Sequence, residues 1–295
     1  MNYKIPFLAF SFLFSLTIVQ AQIIDVHVHS YSTDDYWGGS PHPTGIQSPK
    51  TADEHLQQTI ALLDKHKIEF AVVSGTSMES VEKYVSADAR FIPGYMDDEE
   101  LISIDKFEKL IKEGKIKVFG EITGVYWGRT LNDPIYAPYL QLCEKYEVPV
   151  AYHTGGGPPM TPYTCCPKFR ISLGDPLLIE DVLVKYPKLK VYLMHGGEVF
   201  FEHAIRMLSL YRHLYIDLGV LLWVDPIVND YAIRLLKLAK NARVLDRVMF
   251  GSDQMVWPEA ISKSIEFLNS MDFLTEEERK MILYENAKTF LNLER

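Results

Sequence analysis

The chain has 295 residues, a net charge of −9, 47% hydrophobic residues and 23% charged residues. No stretch is rich in Lys or Arg, so nucleic acid and other polyanions are disfavoured as partners. The length suits one large α/β barrel or two small domains, and the pattern along the chain decides between them.

The N-terminus reads MNYK, then IPFLAFSFLFSLTIV, then QAQ. A short polar start, an apolar core and small residues at Val19 and Ala21 form the layout of a secretory signal, with cleavage expected after Ala21. An uncleaved membrane anchor is the alternative, because the apolar run is at the lower edge of spanning length. On the signal reading, residues 1–21 are removed and 22–295 form one exported domain, periplasmic or secreted, with no stable membrane association. Three cysteines are too few for a disulfide scaffold. Cys143 reads as a small buried residue of a helix, and adjacent Cys165 and Cys166 could be bridged or free.

From residue 23 onward, apolar β-rich runs alternate with helical patterns. IIDVHV is followed by ADEHLQQTIALLDKH, IEFAVVSG by ESVEKYVSA, FIPGYM by IDKFEKLIKEG and IKVFGEI by PIYAPYLQLCEKY. Then VPVAYH leads to PLLIEDVLVKYP, LKVYLMH to FFEHAIRMLSLYR, HLYIDLG to DYAIRLLKLAK and RVMFGSD to PEAISKSIEFLNS. TEEERKMILYENAKTFLNL closes the chain. Thr51 with Glu54, and Thr275 with Glu278, have capping-box spacing. Eight β–α units imply parallel strands, because each helix returns the chain to the same edge. The expected fold is therefore a (β/α)8 TIM barrel with an extra C-terminal helix. An open doubly wound sheet is the competitor, but HTGGG and MHGGE lack the G-x-G-x-x-G spacing it would use.

Six residues of metal-binding type stand at or near strand ends: His27, His29, Glu121, His153, His195 and Asp253. His27 and His29 flank Val28, so both rings project from one side of a strand. Imidazole plus carboxylate ligation suits zinc, with manganese or iron as alternatives, in one or two ions. A bound ion would lower the pKa of water and polarise a carbonyl. Glu121 could bridge two ions, and Asp253 could both ligate and take a proton from water.

Around these, Arg170 and Arg129 could clamp a substrate carboxylate, and Tyr126, Trp127 and Trp257 could form aromatic walls. His42 falls in a Pro-rich loop that could cover the mouth. Asp217 faces the same mouth. His55, His66, His203 and His213 read as structural or exposed.

The segments D-V-H-V-H, F-G-E-I, A-Y-H-T-G, M-H-G-G and F-G-S-D-Q, in order from residue 25 to 254, resemble the amidohydrolase superfamily, most closely its amidohydrolase-related metal-dependent TIM-barrel proteins. The resemblance implies His27, His29, His153 and Asp253 as primary ligands, with His195 as a ligand of a second ion or a catalytic residue. Many two-metal members carry a carboxylated lysine where this chain has Glu121. The expected function is a metal-dependent hydrolase of a small amide, lactone or other ester, with Asp253 and His195 catalytic. The alternatives are a one-metal decarboxylase or hydratase of a carboxylated small molecule, and an exported metal-binding barrel without turnover. A small-molecule substrate is the expected partner, and homo-oligomerisation is left open.

Overall fold

The computed structural model describes residues 22–293; the segment read as a signal, with its cleavage point after Ala21, lies outside them. All eight expected strands form: β1 (Ile23–His29), β2 (Ile68–Ser74), β3 (Phe91–Tyr95), β4 (Val118–Ile122), β5 (Val150–His153), β6 (Val191–Met194), β7 (Leu214–Asp217) and β8 (Val248–Met249). They pair in chain order, every pair parallel. The residues following β8 complete the ring on β1, where Val26 N–H donates to Phe250 O at 3.0 Å and Asp253 N–H to His27 O at 2.9 Å. The fold is a (β/α)8 barrel.

Helices α1 (Ala52–His66), α2 (Met78–Ala87), α3 (Ile104–Lys112) and α4 (Ala137–Tyr146) pack outside the first strands. After β5 come a short α5 (Thr161–Thr164) and α6 (Glu180–Lys185), and then α7 (Phe201–Leu208), α8 (Pro226–Ala242) and α9 (Ala260–Asn269) complete the outer layer. Thr275 forms a full capping box with Glu278 at the start of α10 (Glu276–Lys280). At α1 the box is altered: Thr51 accepts from Glu54 N–H, but the Glu54 carboxylate reaches back to Lys50 N–H. A π-helical turn, Met281–Glu285, joins α10 to α11 (Asn286–Phe290).

The barrel has two cores. Ile24, Val26, Val72, Ile92, Val118, Ala151, Tyr192, Met194 and Met249 fill its interior, and Tyr284, Ala287 and Phe290 pack onto them. The extra C-terminal helix thus plugs the end opposite the strand C-termini. The larger core lies between sheet and helices and includes Ile23, Val28, Phe119, Ile122, Val150, Tyr152 and Leu193.

Comparing the two cores shows where simple alternation fails. Three residues of β1 span two of β2 between the pairs Asp25–Ala71 and Val28–Val73, so β1 holds one extra residue. Val26 fills the interior, yet Val28 faces the helices, and the switch turns His27 and His29 inward. β4 does the same against β5 between Phe119–Val150 and Ile122–Tyr152, which brings Glu121 inward while Ile122 faces out. One extra residue reverses the facing of everything beyond it.

Candidate active site

All six expected ligand residues meet at the C-terminal mouth, each less than 10% exposed. Glu121 is central. Its Oε1 lies 2.6 Å from His153 Nδ1 and 3.3 Å from His195 Nε2, while Oε2 lies 3.4 Å from His27 Nε2 and 3.5 Å from His29 Nε2. Asp253 completes the ring. Its Oδ1 is 2.9 Å from His29 Nε2 and 3.6 Å from His27 Nε2, and its Oδ2 is 3.7 Å from His195 Nδ1.

Three histidines spend a ring N–H on acceptors outside this cluster. His27 Nδ1 donates to Asp217 Oδ2 at 3.0 Å, His153 Nε2 to Gly156 O at 2.8 Å and His195 Nδ1 to Gly219 O at 3.2 Å. Each neutral ring therefore aims its remaining lone pair inward. There the lone pairs meet carboxylate oxygens and each other, with His195 Nε2 and His153 Nδ1 at 3.0 Å. His27 Nε2 and Asp253 Oδ1 are buried without any hydrogen-bond partner. Acceptors packed against acceptors are costly unless a cation stands among them. The donor set fits a divalent metal ion, and three overlapping triads offer ligand atoms within 4.8 Å of one another: His27–His195–Asp253, His27–His29–Glu121 and Glu121–His153–His195.

Without a metal ion, the electrostatics draw protons to the atoms where the ion would stand. Burial raises the Glu121 carboxyl, but the imidazoles of His153, His195 and His27, when protonated on their inward nitrogens, together hold it well below its ordinary value. Burial likewise opposes ionisation of Asp253, and the charges of His27, His29 and His195 overcome it, bringing it to about 2. Burial lowers His27 and His195, yet Asp253 and Asp217 lift His27 well above its usual value, and Glu121 with Asp253 lifts His195 to about 8. Protons and a divalent cation therefore compete for the same atoms.

Backbone turns aim the last two ligands. Met194 faces inward, so His195 would face out on a regular strand; its left-handed φ of 62° turns it back. Asp253 has φ 48° and Met255 φ 44°. Strained residues of this kind persist where their surroundings over-determine them. Here the surroundings are named groups. Asp217 Oδ1 accepts from His195 N–H at 2.8 Å and Gly219 N–H at 2.9 Å, while its Oδ2 holds His27. Gln254 pairs with both the N–H and the carbonyl of His29, each at 3.0 Å, as a strand would. Asp25 Oδ1 accepts from His27 N–H and Ser252 N–H. Sequence reasoning did not single out Asp25 or Gln254, although both lie inside the D-V-H-V-H and F-G-S-D-Q segments.

The loops place the other expected residues. Tyr126 packs on His153 and on Phe169, with ring centroids 5.1 and 5.3 Å apart. Trp257 meets Trp37 and His42, and its Nε1 donates to Ser40 O at 3.0 Å, joining the β1 loop to the β8 loop. His42 sits between Trp223 and Trp257, at 4.9 and 4.8 Å. A cavity of about 340 Å3, lined by Ile46, Trp223, Asn229 and Phe267 among others, lies away from the ligands. Arg129 donates to Glu99 O at 2.8 Å, and exposed Arg170 to Pro167 O and Phe169 O at 3.0 and 2.6 Å. Glu198, in the MHGGE segment, accepts from Gly156 N–H and so braces the turn that holds His153. Cys165 and Cys166 are bridged, and Cys143 is buried and free. His55 is a fully buried structural residue, bonded to Tyr84 and to Met255 O.

The profile of the family described as Amidohydrolase matches residues 24–293. The chain belongs to the amidohydrolase family. This amidohydrolase also shares its fold with solved structures of low sequence identity. A TIM-barrel protein from Bordetella bronchiseptica is 19% identical with a TM-score of 0.67, the match covering 92% of this chain and 98% of that one. A probable 2-pyrone-4,6-dicarboxylic acid hydrolase from Acinetobacter baumannii is 17% identical with a TM-score of 0.65, covering 92% and 99%. The 5-carboxyvanillate decarboxylase of Sphingomonas paucimobilis is 13% identical with a TM-score of 0.61, covering 93% and 100%. No curated protein matches this amidohydrolase sequence.

Proposed function

We propose that this amidohydrolase is a metal-dependent hydrolase of a small amide, lactone or other ester, with zinc as the ion. The inward lone pairs of His27, His153 and His195 carry the reading, since their N–H groups are spent on Asp217, Gly219 O and Gly156 O. Glu121 offers one oxygen to each histidine pair, which supports a bridging role between two ions. When bound, a divalent ion lowers the pKa of water at the site and polarises the carbonyl under attack.

The chain's own groups move the proton. Asp253, buried at the mouth beside His29 and His195, is the carboxylate that accepts it. His195 lies 3.7 Å from Asp253 Oδ2 and 3.3 Å from Glu121, where it stabilises developing charge or holds the second ion. Tyr126 and Trp257 wall the substrate, and Arg170 or Arg129 would exchange a backbone carbonyl for a substrate carboxylate. Cleavage after Ala21 would deliver the domain outside the cytoplasm. Asp253→Asn should lower turnover of a responsive ester or lactone by roughly 10²–10⁴-fold while leaving the fold intact. Unchanged turnover contradicts the assignment.

The fold likeness to a 5-carboxyvanillate decarboxylase supports a second reading, a one-metal decarboxylase or hydratase acting on a carboxylated substrate. Carbon dioxide release from carboxylated aromatics, with no ester or lactone turnover, would favour it.

A further inference from the structure

Glu121 stands where the β-ladder does not hold it. Pairing with β3 ends at Phe119, and the β5 register skips from Phe119 to Ile122. The backbone from the Glu121 carbonyl to Thr123 is instead gripped by Asp97, two residues beyond β3. Asp97 N–H donates to Glu121 O at 3.2 Å. The Asp97 carboxylate accepts from Thr123 N–H, from the Thr123 hydroxyl at 2.9 Å and from the Tyr136 hydroxyl at 2.6 Å.

Asp97 is 1% exposed and Tyr136 fully buried. Among the described residues, no Lys, Arg or His pairs with the Asp97 carboxylate, so three neutral donors alone offset its burial. Leaving a carboxylate in such a place is costly. A merely structural tie between the β3 and β4 ends needs only the backbone bond. The carboxylate adds control of residue 123, and with residue 121 also tied, the direction of the Glu121 side chain is fixed.

We propose that Asp97, with Thr123 and Tyr136, is a positioning residue that aims one oxygen of Glu121 at His27 and His29 and the other at His153 and His195. The proposal rests on the metal reading above. Asp97 touches no ligand atom of the site and acts through the backbone.

Cobalt(II) titration of the metal-free full chain tests it, following affinity and the visible absorption band, which reports ligand geometry. Asp97→Ala should weaken cobalt binding about tenfold or more and shift the band, as loss of a ligand's support does. Asp97→Asn, which keeps an acceptor for Thr123 N–H, should restore most of both. A folded Asp97→Ala with wild-type affinity and band overturns the proposal. Should that variant fail to fold, Tyr136→Phe removes a single hydroxyl; a shifted band there supports the proposal and an unchanged band and affinity overturn it. Absence of cobalt binding by the wild-type chain instead overturns the metal reading, and the proposal with it.

Discussion

β4 and β5 run side by side, and each delivers a ligand to the mouth, but by different means. On β5 alternation suffices: Val150 and Tyr152 face the helices, while Ala151 and His153 face in. On β4 an extra residue is needed to turn Glu121 inward, and the chain then depends on Asp97 to hold it. A ligand on a regular strand is fixed by the ladder. Where a bulge or a left-handed turn interrupts the ladder, a side chain takes over, as Gln254 does beside His29 and Asp217 for His195.

The sharpest way to break this contrast is at the bulge itself. Gly120 has φ 151°, and a side chain there would meet Ala151. Gly120→Ala should destabilise the fold by roughly 3 kcal/mol or more, combining strain and overpacking. Ala151→Gly on β5 should cost only about 1 kcal/mol. Urea unfolding of both variants measures the difference, and equal costs would mean that the bulge is not the demanding element.

The turn at Asp253 offers a comparable test through pH. His55 supports it by donating from Nε2 to Met255 O at 2.8 Å, while Nδ1 accepts from Tyr84 at 2.7 Å. Burial chiefly, with the charge of His29 adding to it, depresses this imidazole from 6.5 to about 4. The unfolded chain therefore binds the proton more tightly than the native one. The stability this provides is complete above pH 6.5 and is lost as pH falls towards 4, by about 3 kcal/mol. Melting curves across that window should show the loss in the wild type and a much flatter profile in His55→Gln. Identical profiles would contradict the neutral-histidine assignment.

A smaller effect is expected at Asp217. Asp217→Asn keeps one acceptor but sets an amide N–H₂ against the donors it now satisfies. Metal affinity should fall roughly 10–100-fold, with little change in the apo fold. A chelator competition assay gives the number, and wild-type affinity would show that His27 needs no outer partner. The smallest effect is at Arg170, which is exposed and tied only to its own loop. Arg170→Gln should alter stability by less than about 0.5 kcal/mol. A raised KM with unchanged stability would support Arg170 as a carboxylate clamp, and an unchanged KM would remove it from the site.

Much of this architecture is legible in the sequence. The eight apolar runs, the helices between them and the six polar strand-end residues give the barrel and its centre, because strand period and chain order are local signals. His153 follows directly from alternation, as does the shared side of His27 and His29, although the extra residue in β1 is what turns that side inward. Glu121, His195 and Asp253 are recognisable by type and place, but their inward direction is not. It comes from a bulge and two left-handed turns that only neighbouring strands reveal. Asp97 was invisible for the same reason: its partners lie 26 and 39 residues away, and an Asp after a strand looks like a solvated turn.

Elemental analysis of metal per chain, on the purified protein and on Glu121→Gln, tests the central claim most directly. The account predicts two ions in the wild type, falling to one when the carboxylate that faces both histidine pairs becomes an amide. A single ion unaffected by the substitution would deny Glu121 its bridging role and favour decarboxylase or hydratase chemistry. No stoichiometric metal in either protein would contradict the metal centre itself.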